Sequence, residues 1–313
     1  MEVTTPETLI DAIAHFSNQD NCVAYMAAKR WPNGVTCPTC GNTRVSYDAK
    51  AWRWQCSSHH AQRKFSLKTG TILEDSPLGL DKWLPCVWLV TNCKNGVSSW
   101  EIHRALGVTQ KTAWFMLQRA RLALQGKQGA KLSGEIEADE TLIGGKARFM
   151  HKGRREDMRE RDNFGKTLVA AVLERGGTIR AKVVKTRRKP ELQKLVRENV
   201  EAGSDLYTDS LKSYDGLDEF KHQAVDHAET YVNGRVHTNG CENFWALLKR
   251  SLKGTYVSVE PWHLFRYLDE QVFRYNNRKD MNDADRFDLA ISQIVGKRLT
   301  YDELIGKEDE EPF

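Results

Sequence analysis

An α/β domain preceded by a small zinc-binding module and a helical module is the architecture this sequence predicts. Three observations predict it. Alternating or apolar runs at 134–143, 166–174 and 178–185 follow one another, with Gly176-Gly177 between the last two, the pattern of strands joined by a tight turn. Helical periodicity then takes over after Pro190 and again at 241–253 and 261–276. Upstream, Cys37-Pro38-Thr39-Cys40 and Cys56-Ser57-Ser58-His59 have metal-ligand spacing in a turn-rich stretch too short to bury a core without a metal.

Bulk composition allows this division. The chain has 313 residues, of which 40% are hydrophobic, enough for two or three domains with cores. A net charge of +5 and a pI near 8.7 suit a polyanionic partner without requiring one. The balance is uneven, with an acidic end at Lys307-Glu308-Asp309-Glu310-Glu311 and a basic middle. Glu2, Glu7 and Asp11 leave no apolar core for a secretion signal. No apolar run approaches the roughly 18 residues of a membrane span. The seven cysteines therefore read as reduced thiols in the cytoplasm.

Residues 1–34 read as a helical lead-in, with Leu9, Ile10, Ile13 and Phe16 at helical spacing and Trp31-Pro32-Asn33-Gly34 as its stop. Residues 35–75 read as a zinc ribbon. Cys37, Cys40, Cys56 and His59 would hold one tetrahedral, closed and therefore structural Zn²⁺. His60 competes with His59 for the fourth position, and the CxxH spacing favours His59. Trp52, Arg53, Trp54, Arg63 and Lys64 flank the site, either packing the ribbon or touching DNA.

Residues 76–130 have helix-turn-helix grammar. Ser98 or Ser99 can cap the first helix, Gly107 can make the turn and Thr109 can cap the second helix. Gln110, Lys111 and Thr112 would open a recognition helix, where base edges are read, and Arg119 and Arg121 would continue its basic character. A plain helical hairpin fits the same residues. The small-residue stretch 126–134 marks the boundary to an α/β domain over 131–280, with 281–313 as a C-terminal tail. Three strands, a helix, a short strand at 205–208 and later helices follow the order of an RNase H-like domain.

Three carboxylates stand out in that domain. Asp139 interrupts the alternating run Glu135–Ile143, Asp209 ends Leu206-Tyr207-Thr208, and Glu242 opens a helical stretch. Carboxylate oxygens suit Mg²⁺ or Mn²⁺, and two such ions can clamp both oxygens of an in-line phosphoryl displacement. Alternatively, Glu242 could cap its helix from within Asn239-Gly240-Cys241-Glu242. Glu137 and Glu140 flank Asp139 and are expected on the opposite strand face. Lys249, two turns beyond Glu242, could hold a DNA phosphate or simply face solvent. Two basic runs, one including Lys146, Arg154, Arg155 and Arg161 and one including Arg180, Arg187, Arg188 and Lys189, suggest a phosphate-gripping channel.

These residues resemble the DDE-type insertion-sequence transposases of the subgroup with an N-terminal zinc ribbon. Ala138-Asp139-Glu140-Thr141-Leu142-Ile143-Gly144-Gly145 is similar to that family's first catalytic strand and Tyr207-Thr208-Asp209-Ser210 to its second. His237-Thr238-Asn239-Gly240-Cys241-Glu242 through Lys249 is similar to the third element, with the lysine of a DDE-K pattern. Phe273-Arg274-Tyr275-Asn276-Asn277-Arg278 resembles the C-terminal helix signature, and Arg30-Trp31-Pro32-Asn33-Gly34 before Cys37 fits the ribbon subgroup. Some relatives carry a cysteine as fourth zinc ligand where a histidine must serve here. The resemblance implies an RNase H-like catalytic domain, two Mg²⁺ (or Mn²⁺) ions on Asp139, Asp209 and Glu242, and binding of double-stranded DNA at element ends and target. It also implies a homodimer or higher oligomer on DNA, no membrane, and a place at the bacterial nucleoid. A DNA-binding regulator without catalysis and a structure-selective nuclease are the rival expectations.

Overall fold

The computed structural model describes residues 5–126, 129–145, 153, 165–225 and 236–306. The chain divides into two compact units, one of Met1–Gly126 with Asn277–Glu311 and one of Lys127–Asn276 with the last two residues.

The first unit begins with α1 (Leu9–Phe16) and α2 (Gln19–Arg30). A three-stranded antiparallel ribbon follows, β1 (Val45–Asp48), β2 (Arg53–Cys56) and β3 (Lys64–Phe65). Its core is aromatic: Trp54 is 6% exposed and lies between Trp31, Tyr47 and Phe65 at ring separations of 4.8–6.1 Å. Trp52 sits at a positive φ of 45° and donates its indole N–H to Asp20 at 3.0 Å. The ribbon tryptophans thus take up packing and hydrogen-bonding duties.

Three helices complete this stretch, α3 (Leu80–Asn92), α4 (Ser99–Leu106) and α5 (Gln110–Leu124). Helix α3 is buried all round, with Trp83, Leu84, Val87 and Trp88 in the core, as expected of a helix apolar on every face. The α4–α5 hairpin follows its sequence signals closely. Ser98 and Glu101 form a capping box, Gly107 adopts the left-handed conformation at φ 64°, and the Thr109 hydroxyl accepts the Thr112 N–H at 3.1 Å. Arg119 and Arg121 depart from expectation. They are 6% and 1% exposed, on the side of α5 that faces the core. Arg119 donates to the carbonyls of Glu74 and Leu299 at 2.8 and 3.0 Å, so it ties loops together inside the unit.

The second unit is built on β4 (Glu135–Ile143), β5 (Thr167–Glu174), β6 (Ile179–Val184), α6 (Lys189–Asn199), β7 (Asp205–Asp209), β8 (Lys221–Val225), α7 (Asn239–Ser251) and α8 (Leu264–Asn276). The five strands form one mixed sheet in the order β6-β5-β4-β7-β8. Strand β4 is central, antiparallel to β5 and parallel to β7. Helix α6 covers one face through Leu192, Leu195 and Val196 on Ile136, Ala138, Ala170 and Val172. Helices α7 and α8 cover the other through Phe244, Trp245, Leu248 and Leu268 on Val169, Ala171 and Leu173. Burial on both faces explains the unbroken apolar run of β5. Strand β8 escaped the sequence reading: of its five residues only Val225 is buried, so an edge strand carries little periodicity.

Residues beyond 276 return to the first unit. There α9 (Asp283–Ser292) and α10 (Tyr301–Leu304) occupy the stretch expected as a tail. Ala284, Phe287, Ala290 and Ile291 of α9 are buried, and Phe287 packs against Trp88 and Tyr25. Their spacing, with Phe287 three and Ile291 seven residues beyond Ala284, is helical; the polar residues around it obscured the signal. Among the described residues no helix is long and apolar enough to cross a membrane.

Candidate functional site

The register Glu135↔Asp205 to Glu137↔Tyr207 carries Asp139, midway along β4, to the same level as Asp209, the last residue of the adjacent parallel strand β7. Ligand oxygens of Asp139, Glu140 and Asp209 lie within 4.8 Å of one another. One Asp139 oxygen accepts the indole N–H of Trp245 at 2.9 Å, which fixes the carboxylate against α7. Asp209 accepts the backbone N–H of Leu211 at 3.2 Å. Glu140 accepts the Tyr214 hydroxyl at 3.1 Å and lies 3.5 Å from Arg187.

Crowding is visible in their acidities. Burial pushes the Asp139 carboxyl up to about 6; the Trp245 bond opposes this and the Asp209 charge adds to it. Burial, then the charges of Asp209 and Asp139, push Glu140 up to about 7. Converging hard oxygens that repel one another are the donor set a divalent cation relieves, so the residues present fit Mg²⁺ or Mn²⁺.

Glu242 stands in the first turn of α7, exposed and outside this oxygen cluster. Its charge nonetheless contributes to raising Asp139. Glu140, a neighbour that sequence reasoning set aside, takes the third place in the cluster. Glu137 also departs from expectation. Two residues from Asp139 on a strand is the same face, not the opposite one, and Glu137 is 1% exposed beneath α7. Its carboxylate accepts the backbone N–H groups of Gly240 and Cys241 at 2.7 and 3.1 Å. Arg175 neutralises it at 2.8 Å and His237 approaches to 3.3 Å. Thr238, at the cap position, makes no side-chain cap bond, so a carboxylate from β4 caps α7 in place of the local box considered for Glu242.

Lys249 projects from α7 toward the same edge of β4, donating to the Thr141 hydroxyl at 2.7 Å. Arg187 is exposed beside Glu140, and Arg188 is exposed at the N-cap of α6. Arg154 and Arg155 lie outside the described residues. In the first unit, Gln110, Lys111 and Thr112 do open α5. Gln110 donates to Ser99 at 2.8 Å, Thr112 shares a hydroxyl bond with Thr109 at 2.8 Å, and exposed Lys111 lies 4.9 Å from the Tyr301 ring.

At the ribbon, Cys37, Cys40, Cys56 and His60 bring their ligand atoms within 4.8 Å of one another. The Cys37 sulfur is 3.4 Å from His60 Nε2, and the Cys40 and Cys56 sulfurs are 3.6 Å apart. His59 is exposed and outside the cluster, which corrects the ligand preferred from spacing. The turn after Cys56 folds back on its own sulfur, which accepts the Ser58 N–H at 3.4 Å; one further residue is needed before a side chain points inward. Three thiols and an imidazole in a closed cluster are the donor set of a structural zinc site.

Comparison with known proteins finds a family match for each of the two segments that hold these clusters. The ISXO2-like transposase domain matches residues 131–276 and the transposase zinc-ribbon domain matches residues 17–62. A protein in transposable element ISH50 of Halobacterium salinarum is 30% identical over 259 residues, covering 77% of this chain and 85% of that one. A transposase-like protein of Haemophilus influenzae is 36% identical over 85 residues, 26% of this chain and 68% of its own. The chain belongs to the family of insertion-sequence transposases that carry a zinc ribbon ahead of an ISXO2-like transposase domain.

Proposed function

We propose that this member of the family is a DDE-type transposase, which binds the terminal inverted repeats of an insertion sequence and catalyses metal-dependent strand cleavage and strand transfer. The observation that carries the reading is the pairing of Asp139, midway along β4, with Asp209 at the end of the parallel strand β7, with oxygens within 4.8 Å. The sheet order β6-β5-β4-β7-β8, with the antiparallel hairpins on one side and the parallel strands on the other, supports an RNase H-like core. Asp139 and Asp209 would hold both of two Mg²⁺ (or Mn²⁺) ions, and Glu242 would complete the second. Such ions activate the attacking oxygen and neutralise the leaving one in an in-line displacement.

The chain's own side chains do the positioning. Trp245 orients Asp139 by holding one of its oxygens. Lys249 stands beside Thr141, where it can take a phosphate. Arg154, Arg155, Arg187 and Arg188 belong to basic runs that suit DNA backbone. Gln110, Lys111 and Thr112 would read base edges from the start of α5, and the ribbon, closed by Zn²⁺ on Cys37, Cys40, Cys56 and His60, would add contacts. Synapsis of two element ends requires a homodimer or larger assembly. The reaction would take place in the cytoplasm, on nucleoid DNA.

The test is cleavage and strand transfer on labelled element-end DNA, with and without Mg²⁺. Mg²⁺-dependent nicking followed by joined product is the expected result. Tight binding without cleavage would replace the reading with a DNA-binding regulator, and nicking without joining would replace it with a nuclease.

A further inference from the structure

The segment that follows α9 has no part in the proposed chemistry, yet it is laid along α5 from end to end. Lys297 donates its ammonium to the carbonyls of Leu122 and Ala123 at 3.0 and 3.2 Å, where a cation satisfies the open end of the helix. Two residues on, the Leu299 carbonyl accepts from Arg119 at 3.0 Å. Two residues further, the Tyr301 ring meets Phe115 edge to face with centroids 5.8 Å apart, and the Lys111 ammonium lies over that ring at 4.9 Å. Residues 297–301 thus run antiparallel to α5, from its last turn to its first. The α5 residues they meet, Lys111, Phe115, Arg119 and Leu122, are spaced to share one side of the helix.

This strap is fixed where it matters. Leu299 and Leu304 are buried on either side of Tyr301. Thr300 and Glu303 form a capping box around it, with the Glu303 N–H donating to the Thr300 hydroxyl at 3.1 Å. Tyr301 is therefore an exposed ring on an anchored backbone, and the polar residue that rests on it is the exposed Lys111. A free lysine side chain is flexible, and ordering it on a ligand costs affinity. A cation already held on an aromatic face has less of that freedom left to lose.

We infer that Tyr301 is a positioning residue for sequence reading: it holds Lys111 poised for base edges that present acceptors, so the C-terminal strap is part of the DNA-reading face. The inference rests on the reading of α5 as the recognition helix and adds to that helix a contact from a distant part of the chain. Lysine carries donors only, so its partner on DNA is an acceptor edge in the major groove. The ring contributes by restricting where those donors point.

The test measures the affinity of the full-length chain for two labelled duplexes, one from the end of the element that encodes it and one of random sequence, and takes the ratio. Tyr301→Leu keeps apolar bulk on Phe115 and removes the ring face. Its ratio is expected to fall about fivefold, the scale of one exposed cation–π contact. Tyr301→Phe retains the face and should retain the ratio. Lys111→Met alone should lower the ratio at least as far as Tyr301→Leu does. Adding Tyr301→Leu to Lys111→Met should then change nothing more, since the ring has no ammonium left to hold. A packing defect would instead lower both backgrounds alike, so an equal fall in the Lys111→Met background overturns the inference. An unchanged ratio in Tyr301→Leu or in Lys111→Met overturns it as well. Tighter binding of both duplexes by Tyr301→Leu overturns it by making the strap a cover over α5. A wild-type chain that does not prefer the element end overturns the reading of α5 as the recognition helix, and the inference with it.

Discussion

Glu137 and Gly240 join the central strand to the helix that carries Glu242. The Glu137 carboxylate accepts the Gly240 N–H at 2.7 Å, and a Cβ at position 240 would sit 2.7 Å from that same oxygen and 2.8 Å from Leu173. Only a glycine lets α7 start this close to the sheet. One strand therefore supplies both Asp139 and the cap of the helix bearing the third carboxylate, so the two are held in one frame.

Breaking that frame should cost stability. Glu137→Ala leaves two backbone N–H groups and the Arg175 charge without their buried partner, and a loss of about 3 kcal/mol is expected. Gly240→Ala should lose about 1–3 kcal/mol by overpacking. Urea unfolding of each variant checks this; a midpoint equal to wild type for Glu137→Ala would show that the cap is dispensable.

Zinc retention separates the two histidines. His60→Ala and Cys37→Ser are expected to release zinc and unfold the ribbon, because a site closed by four ligands supplies much of the folding energy of so small a segment. His59→Ala should keep the metal. Metal content by atomic emission after dialysis decides it, and zinc lost from His59→Ala but retained by His60→Ala would reverse the assignment.

Carboxylate repulsion should appear in the pH dependence of the metal-free protein. Asp139 is raised from 3.8 to about 6 and Glu140 from 4.5 to about 7. A carboxyl raised on folding binds its proton more tightly folded than unfolded, so stability is lost as pH climbs from about 4 through 7. A displacement this large corresponds to on the order of 3 kcal/mol per carboxyl. Asp209→Asn removes a charge that raises both groups. Without divalent metal its melting temperature should match wild type near pH 5 and exceed it at pH 8. Mg²⁺ should stabilise wild type at pH 8 and leave the variant nearly unmoved. A variant less stable than wild type at pH 8 without metal would contradict the crowded cluster.

Catalysis should respond to the same residue differently. Asp209→Asn is expected to abolish strand cleavage while DNA affinity changes little, since the carboxylate repels the backbone and contributes no contact of its own. Trp245→Phe keeps the ring in the core and removes the N–H that holds Asp139. Cleavage should fall while the duplex still binds; full activity in that variant would mean that Asp139 needs no such support.

Elements whose signal is local were legible in the residues. The α4–α5 hairpin could be read because its caps and turn, Ser98, Gly107 and Thr109, act within a few residues of themselves. Strands β4 to β6 could be read because alternation and a glycine pair mark them, and the pairing of cysteines 37, 40 and 56 because ligand spacing is short-range. The edge strand β8 and the burial of Arg119 and Arg121 were not legible, because neither depends on the residues next to them.

By itself, then, the sequence determined the α/β class, the three-cysteine metal knot and the candidacy of Asp139 and Asp209. Only the tertiary structure brought His60 together with the three cysteine sulfurs, Glu140 together with the two aspartates, and the Glu137 carboxylate to the cap of α7. Ligand sets and caps are satisfied by whichever side chain reaches a point in space, and partners 103 residues apart along the chain leave no periodic trace of their meeting. Register across a sheet and the crossing of a helix over it set those distances, and both arise from packing of the whole core.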